Sequence, residues 1–308
     1  MMRPLPLTAL TALCVAIAAL ALPGAATAGP RKEAARRAAA KARKKARRSG
    51  RKRTRKTTRC DRACRRKRKT REARRVKKSR FLGGTHWRIK SKAGVVHVWR
   101  PRGFRRKGGG IVVYVHGYQS SADKTWGNKA IAEQFRMSRQ NALFIVVDGP
   151  QNPRDKVKFP ALTKLFTVVQ RYTRLRLPRG HIVAIGHSAA YRTIVNWLDY
   201  RYLDHVVLVD ALYANGPQFY AWMETHKYKD WHKLIVISYD TLSQTKRFLS
   251  KFKYVVKRKR FPDRYGEFTP SQKRGRILFI RSQYGHAQLI NNKRVIPLLL
   301  RLTRLALL

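Results

Sequence analysis

The stretch Ile182-Val183-Ala184-Ile185-Gly186-His187-Ser188-Ala189-Ala190 decides how the rest of the chain is read. Its first four residues form an apolar run without polar alternation, the mark of a strand covered on both faces. Tyr191–Asp199 then follow with helical spacing. A serine caught between a buried strand and a helix must sit in a sharp turn, which requires small residues two places before and two after it. Gly186 and Ala190 meet that need. The turn lifts the hydroxyl above the sheet edge at a helix start, where the dipole favours developing negative charge. A serine there can also be a plain N-cap, so the signal is the strand-turn-helix context and not the residue alone.

Outward from this turn, short apolar runs recur at Ile111–Val115, Ala142–Val147, Val206–Val209, Leu234–Ile237 and Ile277–Ile280. Helical spacing separates them at Lys129–Ser138, Ala161–Leu175, Pro217–His226, Ser243–Val256 and Gln288–Leu305. Alternation of this kind predicts an α/β fold: a mostly parallel sheet with helices on both faces. His86–Lys90 and Val95–Trp99, joined by Ser91-Lys92-Ala93-Gly94, read as an antiparallel edge, which brings the sheet to about eight strands. The stretch after Asp210 is too short for a large cap domain. The apolar end Val295–Leu308, with Arg301 and Arg304, reads as the last helix packing on the sheet; the rival is a membrane-surface helix.

Three further sites complete a chemistry around Ser188. The strand Ile111–Val115 ends in His116-Gly117-Tyr118, where the glycine permits a sharp turn, and the Tyr118 and Ala189 N–H groups then form an oxyanion hole. Of nine histidines only His286 follows the last strand, which makes it the general base. Two acids lie at strand ends between Ser188 and His286. Asp240 closes the strand before the one that carries His286 and is favoured as the orienting acid; Asp210 is the alternative.

Together these residues resemble the α/β-hydrolase family over roughly His86 to Leu308. The chain order is Ser, Asp, His, and the serine stands on a nucleophile elbow. Two departures stand out: the elbow ends in Ala190 where glycine is usual, and Ser238-Tyr239-Asp240-Thr241 replaces the usual Gly-x-x-Asp loop. The resemblance implies a serine hydrolase that cleaves an ester, or an amide, through an acyl-enzyme, with no metal and no cofactor. Tyr118, Trp126, Tyr213, Trp222 and Tyr284 are candidates for the rim of the site. A polyanion- or envelope-binding protein on an inactive hydrolase scaffold is the alternative.

The 308 residues include 71 Lys and Arg against 15 Asp and Glu, a net charge of +56, with 44% hydrophobic residues. That content excludes wholesale disorder and a collagen-like chain, and the charge calls for an anionic partner. Residues 1–28 read as a signal peptide: Arg3, an apolar Leu5–Leu22, the breakers Pro23 and Gly24, then Ala26-Thr27-Ala28 before the cleavage site. The rival is a retained anchor. Export to the medium, periplasm or cell envelope follows from cleavage. Cys14 sits inside the apolar run, unlike a lipoprotein cysteine, and Cys60 and Cys64 suggest a local or intermolecular disulfide. Residues 29–80 hold 28 Lys or Arg and three acids, the composition of a disordered arm, transiently helical over Ala34–Ala46. Its expected partner is a polyanion (envelope glycan, anionic lipid or nucleic acid) bound through residues 31–80. Residues 81–308 form the hydrolase domain and keep 42 Lys and Arg against 12 acids.

Overall fold

The computed structural model describes residues 37–46, 75–225 and 231–308. The chain divides into two units, Met1–Arg66 and Lys67–Leu308. In the first, residues 37–46 form helix α1, exposed throughout, as its alanine content favours. Residues 1–28, read above as a signal peptide, and Cys60 and Cys64 lie outside the described residues.

The second unit is built on ten strands: β1 (Val76–Phe81), β2 (Gly84–Lys90), β3 (Val95–Arg100), β4 (Gly110–Val115), β5 (Ala142–Val147), β6 (Ile182–His187), β7 (Leu203–Val209), β8 (Lys233–Ser238), β9 (Val255–Arg258) and β10 (Ile277–Arg281). They form one sheet in the order β1-β2-β3-β5-β4-β6-β7-β8-β10-β9. β1, β2 and β3 are antiparallel to their neighbours, and every pairing from β5 to β9 is parallel. Without β1 and β9 the order is that of the α/β-hydrolase fold.

Both faces are covered, which is why the central strands lack polar alternation. Ile111, Val113 and Val115 of β4 point into one core, packed by α4 (Leu162–Thr173), α6 (Gly216–Glu224) and α7 (Leu242–Leu249). Val112 and Tyr114 point into the other, packed by α2 (Ala122–Asn128), α3 (Ile131–Ser138), α8 (Gln288–Asn291) and α9 (Val295–Arg301). Val295, Ile296, Leu299 and Leu300 are fully buried in that second core, so the C-terminal segment packs on the sheet and does not face a membrane. No helix among the described residues is long and apolar enough to cross one.

Two boundaries differ from expectation. The globular unit begins before Phe81, because β1 takes in Val76 to Arg80, which composition assigns to the arm. Its exposed Lys and Arg suit an edge strand; pairing from Val76↔Ile89 to Phe81↔Gly84 and a bond from Trp99 Nε1 to the Phe81 carbonyl (2.8 Å) hold it. The helix expected over Ser243–Val256 ends at Leu249, and the β-branched Val255 and Val256 belong to β9. Where the spacing after Ser188 predicts a single helix, the chain makes a 3-10 turn (Ser188–Ala190), a short α5 (Tyr191–Ile194) and a second 3-10 turn. Only residues 210–215 separate β7 from α6, so no cap is inserted there.

Candidate active site

β4 sits between β5 and β6, and the chain leaves it to one side and then the other. That reversal opens a crevice at the C-terminal edge, the place where α/β sheets bind their ligands. Val115 pairs with Gly186, which puts His116-Gly117 beside His187-Ser188.

Ser188 holds a left-handed backbone, φ 58°, a strained state for a residue with a Cβ. A Cβ on Gly186 would lie 2.6 Å from the Ala190 Cβ and from Ile194, and one on Gly117 would lie 2.6 Å from the Ser188 Cβ. The missing side chains are what let the elbow close and the β4 loop approach the serine. His116 clamps that loop. Its Nε2 accepts from the Gly149 N–H (2.9 Å), so Nδ1 carries the proton and donates to the Gly117 carbonyl (2.7 Å). Carbonyl and following N–H lie on opposite sides of one planar peptide, so holding the Gly117 carbonyl fixes the direction of the Tyr118 N–H. Among the described residues that N–H has no acceptor. Arg192 secures the same loop by donating to the Tyr118 hydroxyl (2.9 Å) and to the carbonyls of Asn152 and Asp155.

His286 Nδ1 bonds Asp210 Oδ2 at 2.6 Å. Asp210 is fully buried and receives four more hydrogen bonds, from the Tyr239, Asp240 and Thr241 N–H groups and the Thr241 hydroxyl. Burial opposes its charge, but the bonds from His286, Thr241 and Tyr239 outweigh it and hold the carboxyl well below the usual carboxylate range. The preference for Asp240 is therefore corrected. Its Oδ2 lies 3.6 Å from His286 Nδ1 and its side chain is 49% exposed; what Asp240 gives the site is its backbone N–H. The loop 239–241 wraps its N–H groups around the acid from the neighbouring strand, a substitute for the missing Gly-x-x-Asp loop. Asp210, Asp240 and His286 also offer three ligand atoms within 4.8 Å of one another. The Asp210 oxygens are already saturated with donors, which suits an oriented imidazole better than a cation.

With Nδ1 committed to Asp210, His286 keeps Nε2 for another partner. The His187 ring centroid is 4.3 Å from that of His286, and its Nε2 donates to the His286 carbonyl (3.0 Å). Burial and the neighbouring His286 push His187 down to about 3, so it is a neutral buttress. Tyr213 faces both Ser188 and His286: its phenol interacts with the serine side chain, and its ring centroid is 6.4 Å from His286. Desolvation and the two nearby carboxylates raise it to about 12, so it stays protonated.

Of the five candidate rim aromatics, Tyr213 faces Ser188 and His286, while the Tyr118 ring lies against Arg192. Trp126 is stacked on His86 and His97 near the antiparallel end of the sheet, Trp222 is buried against His232, and Tyr284 packs against Phe261. The sequence offers His116 and His187 as strand-end histidines, structural or lining the site; the structure makes the first a clamp and the second a buttress, and adds Thr241 as a donor that the sequence reading does not name. For Thr241 a signal existed, because a penultimate loop lacking its usual acid motif leaves the earlier strand end to supply one.

No family model matches the chain, and no curated protein matches it. Among solved structures it is similar to an S-formylglutathione hydrolase from Agrobacterium tumefaciens (9% identity, 75% of this chain and 100% of that one, TM-score 0.48). It is also similar to a putative esterase from Staphylococcus aureus (12% identity, 79% and 91% covered, TM-score 0.45) and to the carboxylesterase EstE1 from a metagenomic library (13% identity, 74% and 87% covered, TM-score 0.45). Scores this low leave the fold to be decided by strand order and the site by its own geometry.

Proposed function

We propose that the chain is a serine hydrolase of carboxylic esters, with Ser188 as nucleophile, His286 as base and Asp210 as orienting acid. The observation that carries this reading is the 2.6 Å bond from His286 to a fully buried, fully hydrogen-bonded Asp210, on the same rim as a serine held at positive φ. A charged acid on Nδ1 fixes the tautomer and leaves Nε2 to accept a proton.

In the reaction, Ser188 Oγ bonds to the ester carbonyl carbon as its proton passes to His286 Nε2. The carbonyl oxygen takes the electron pair and is held by the Tyr118 and Ala189 N–H groups. Collapse of this intermediate expels the alcohol, which leaves with the imidazole's proton, and an acyl-Ser188 remains. Water then repeats the sequence and releases the acid.

The sequence of residues 1–28 supports export, and the charge of residues 31–80 supports docking on a polyanion outside the cytoplasm. The test is labelling with a serine-directed fluorophosphonate, followed by turnover of p-nitrophenyl acetate. Modification should map to Ser188, and Ser188→Ala should lose both labelling and turnover. A chain that neither labels nor turns over, though folded, would be the inactive polyanion-binding scaffold instead.

A further inference from the structure

The edge of the sheet opposite Ser188 carries the other strong chemical pattern in this unit. The segments that enter β4, β6, β7 and β10 (residues 101–109, 174–181, 198–202 and 275–276) contain nine Lys or Arg and one acid. Those that leave the same strands (116–121, 188–190, 210–215 and 282–287) contain no Lys or Arg and one acid, Asp210. The longer segment after β5, 148–161, mixes three bases with two acids.

Cavities lie along this basic edge. One of about 640 Å³, at the ends of β1 and β3 and the start of β2, is lined by Arg80, Arg100 and Arg102 and by no carboxylate. A larger one of about 1050 Å³ opens where β6, β7 and β8 begin. Arg179 and Arg201 line it beside two aromatic rings left largely in water, Tyr202 at 52% and Trp231 at 60% exposure. The Arg201 guanidinium lies over the Tyr202 ring, 4.4 Å from its centroid. The one acid there, Asp204, is already committed to the Ile182 N–H and to His181.

We propose that this edge binds single-stranded nucleic acid, with the phosphates on the arginines and unpaired bases stacked on Tyr202 and Trp231. Cationic grooves with exposed flat rings bind single strands because every base offers a π-face, whatever the sequence. A charged glycan is the weaker fit. Its hydroxyls call for amides, hydroxyls or free carboxylates; the larger cavity is lined by no Asn, Gln, Ser or Thr, its side-chain hydroxyls are those of Tyr200 and Tyr202, and the second already accepts from Arg201. A duplex hides the base faces that the rings would stack on. The site is independent of catalysis at Ser188.

The arm binds polyanions too, so the test must be local. Full-length protein is irradiated with a thymidine 16-mer, and the cross-linked peptides are mapped. Affinities are then measured for the 16-mer, its duplex, a sulfated glycan and a polyphosphate of equal charge, across a salt series. Cross-links are expected in peptides holding Tyr202 and Trp231. Tyr202→Ala with Trp231→Ala should weaken the 16-mer about tenfold or more while leaving polyphosphate unchanged. Arg179→Ser and Arg201→Ser should weaken both ligands, each lowering the slope of log K against log salt by about 0.7. Cross-links confined to residues 31–74 would overturn the proposal. So would a duplex or sulfated glycan that binds as tightly as the 16-mer with no sensitivity to the aromatic variants.

Discussion

Along their C-terminal ends β4, β6, β7 and β10 run into short, nearly uncharged turns, three of them strained: Gln119 at φ 58°, Ser188 at φ 58° and Asp210 at φ 45°. Along their N-terminal ends the same strands are entered through arginine-rich loops. One edge concentrates its electrostatics in a single buried carboxylate with five hydrogen bonds; the other spreads charge over many exposed side chains. Buried, pre-oriented charge is worth far more per group than charge in water. Substitutions at the two edges should therefore differ in kind, with large losses of turnover at the first and graded, salt-sensitive losses of binding at the second.

The sharpest test of the first edge sets its two acids against each other. Asp210→Asn keeps the shape but removes the charge that selects the tautomer, and kcat should fall about 10⁴-fold. Asp240→Asn, exposed and contributing through its backbone, should change kcat by less than about threefold. Steady-state kinetics on p-nitrophenyl acetate decides it; equal losses would return the triad acid to the open choice between the two.

Glycines extend the contrast. At the rim, Gly117→Ala drives a Cβ to 2.6 Å from the Ser188 Cβ and displaces the Tyr118 donor, so turnover should drop about 10²-fold. At the opposite edge Gly83 has open space around it but a φ of +75°. Gly83→Ala should leave turnover alone and cost about 1 kcal/mol of stability, measured by urea unfolding.

A pH series probes stability at both edges. His187 at the rim is lowered to about 3 and His205 at the other edge is lowered well below its ordinary value, each by burial first. Between pH 6.5 and 3 the unfolded chain protonates His187 and the folded chain does not, so stability rises with pH there and falls on acidification. Asp210, whose pKa is depressed, adds a loss in the same direction once pH drops below the unfolded carboxylate range. Urea unfolding from pH 7 to 4 should show stability falling by about 3 kcal/mol through His187, with His205 adding a loss in the same direction; a flat profile would mean these rings gain water or a partner.

The parts of this design that sequence alone discloses are those set by neighbours in the chain. The elbow at Ser188 depends on Gly186 and Ala190 two places away, and His286 follows directly from the last strand. Asp210 depends instead on how residues 239–241, some thirty positions further on, fold their N–H groups around it, and no local pattern records that. β1 escapes for a different reason: an edge strand of Lys, Ser and Arg needs no apolar alternation, because only its backbone is committed to the sheet. The basic edge is hidden in the same way, since its arginines lie scattered along the chain and gather only when parallel strands bring all their entry loops to one side.

That gathering sets the smallest expected effect. β6 is six residues long, so at about 3.3 Å per residue the two edges stand roughly 20 Å apart. The screening length at physiological salt is about 8 Å, and the arginines of the entry loops should barely reach the imidazole. For a neutral ester, Arg102→Ser and Arg179→Ser, or a change from about 50 to 500 mM salt, should alter kcat/KM by less than twofold. The same changes should weaken oligonucleotide binding by an order of magnitude or more. If turnover instead followed binding through the salt series, the entry loops would be coupled to the rim through the sheet itself. Coulomb forces across 20 Å of screened distance are too weak to carry that coupling.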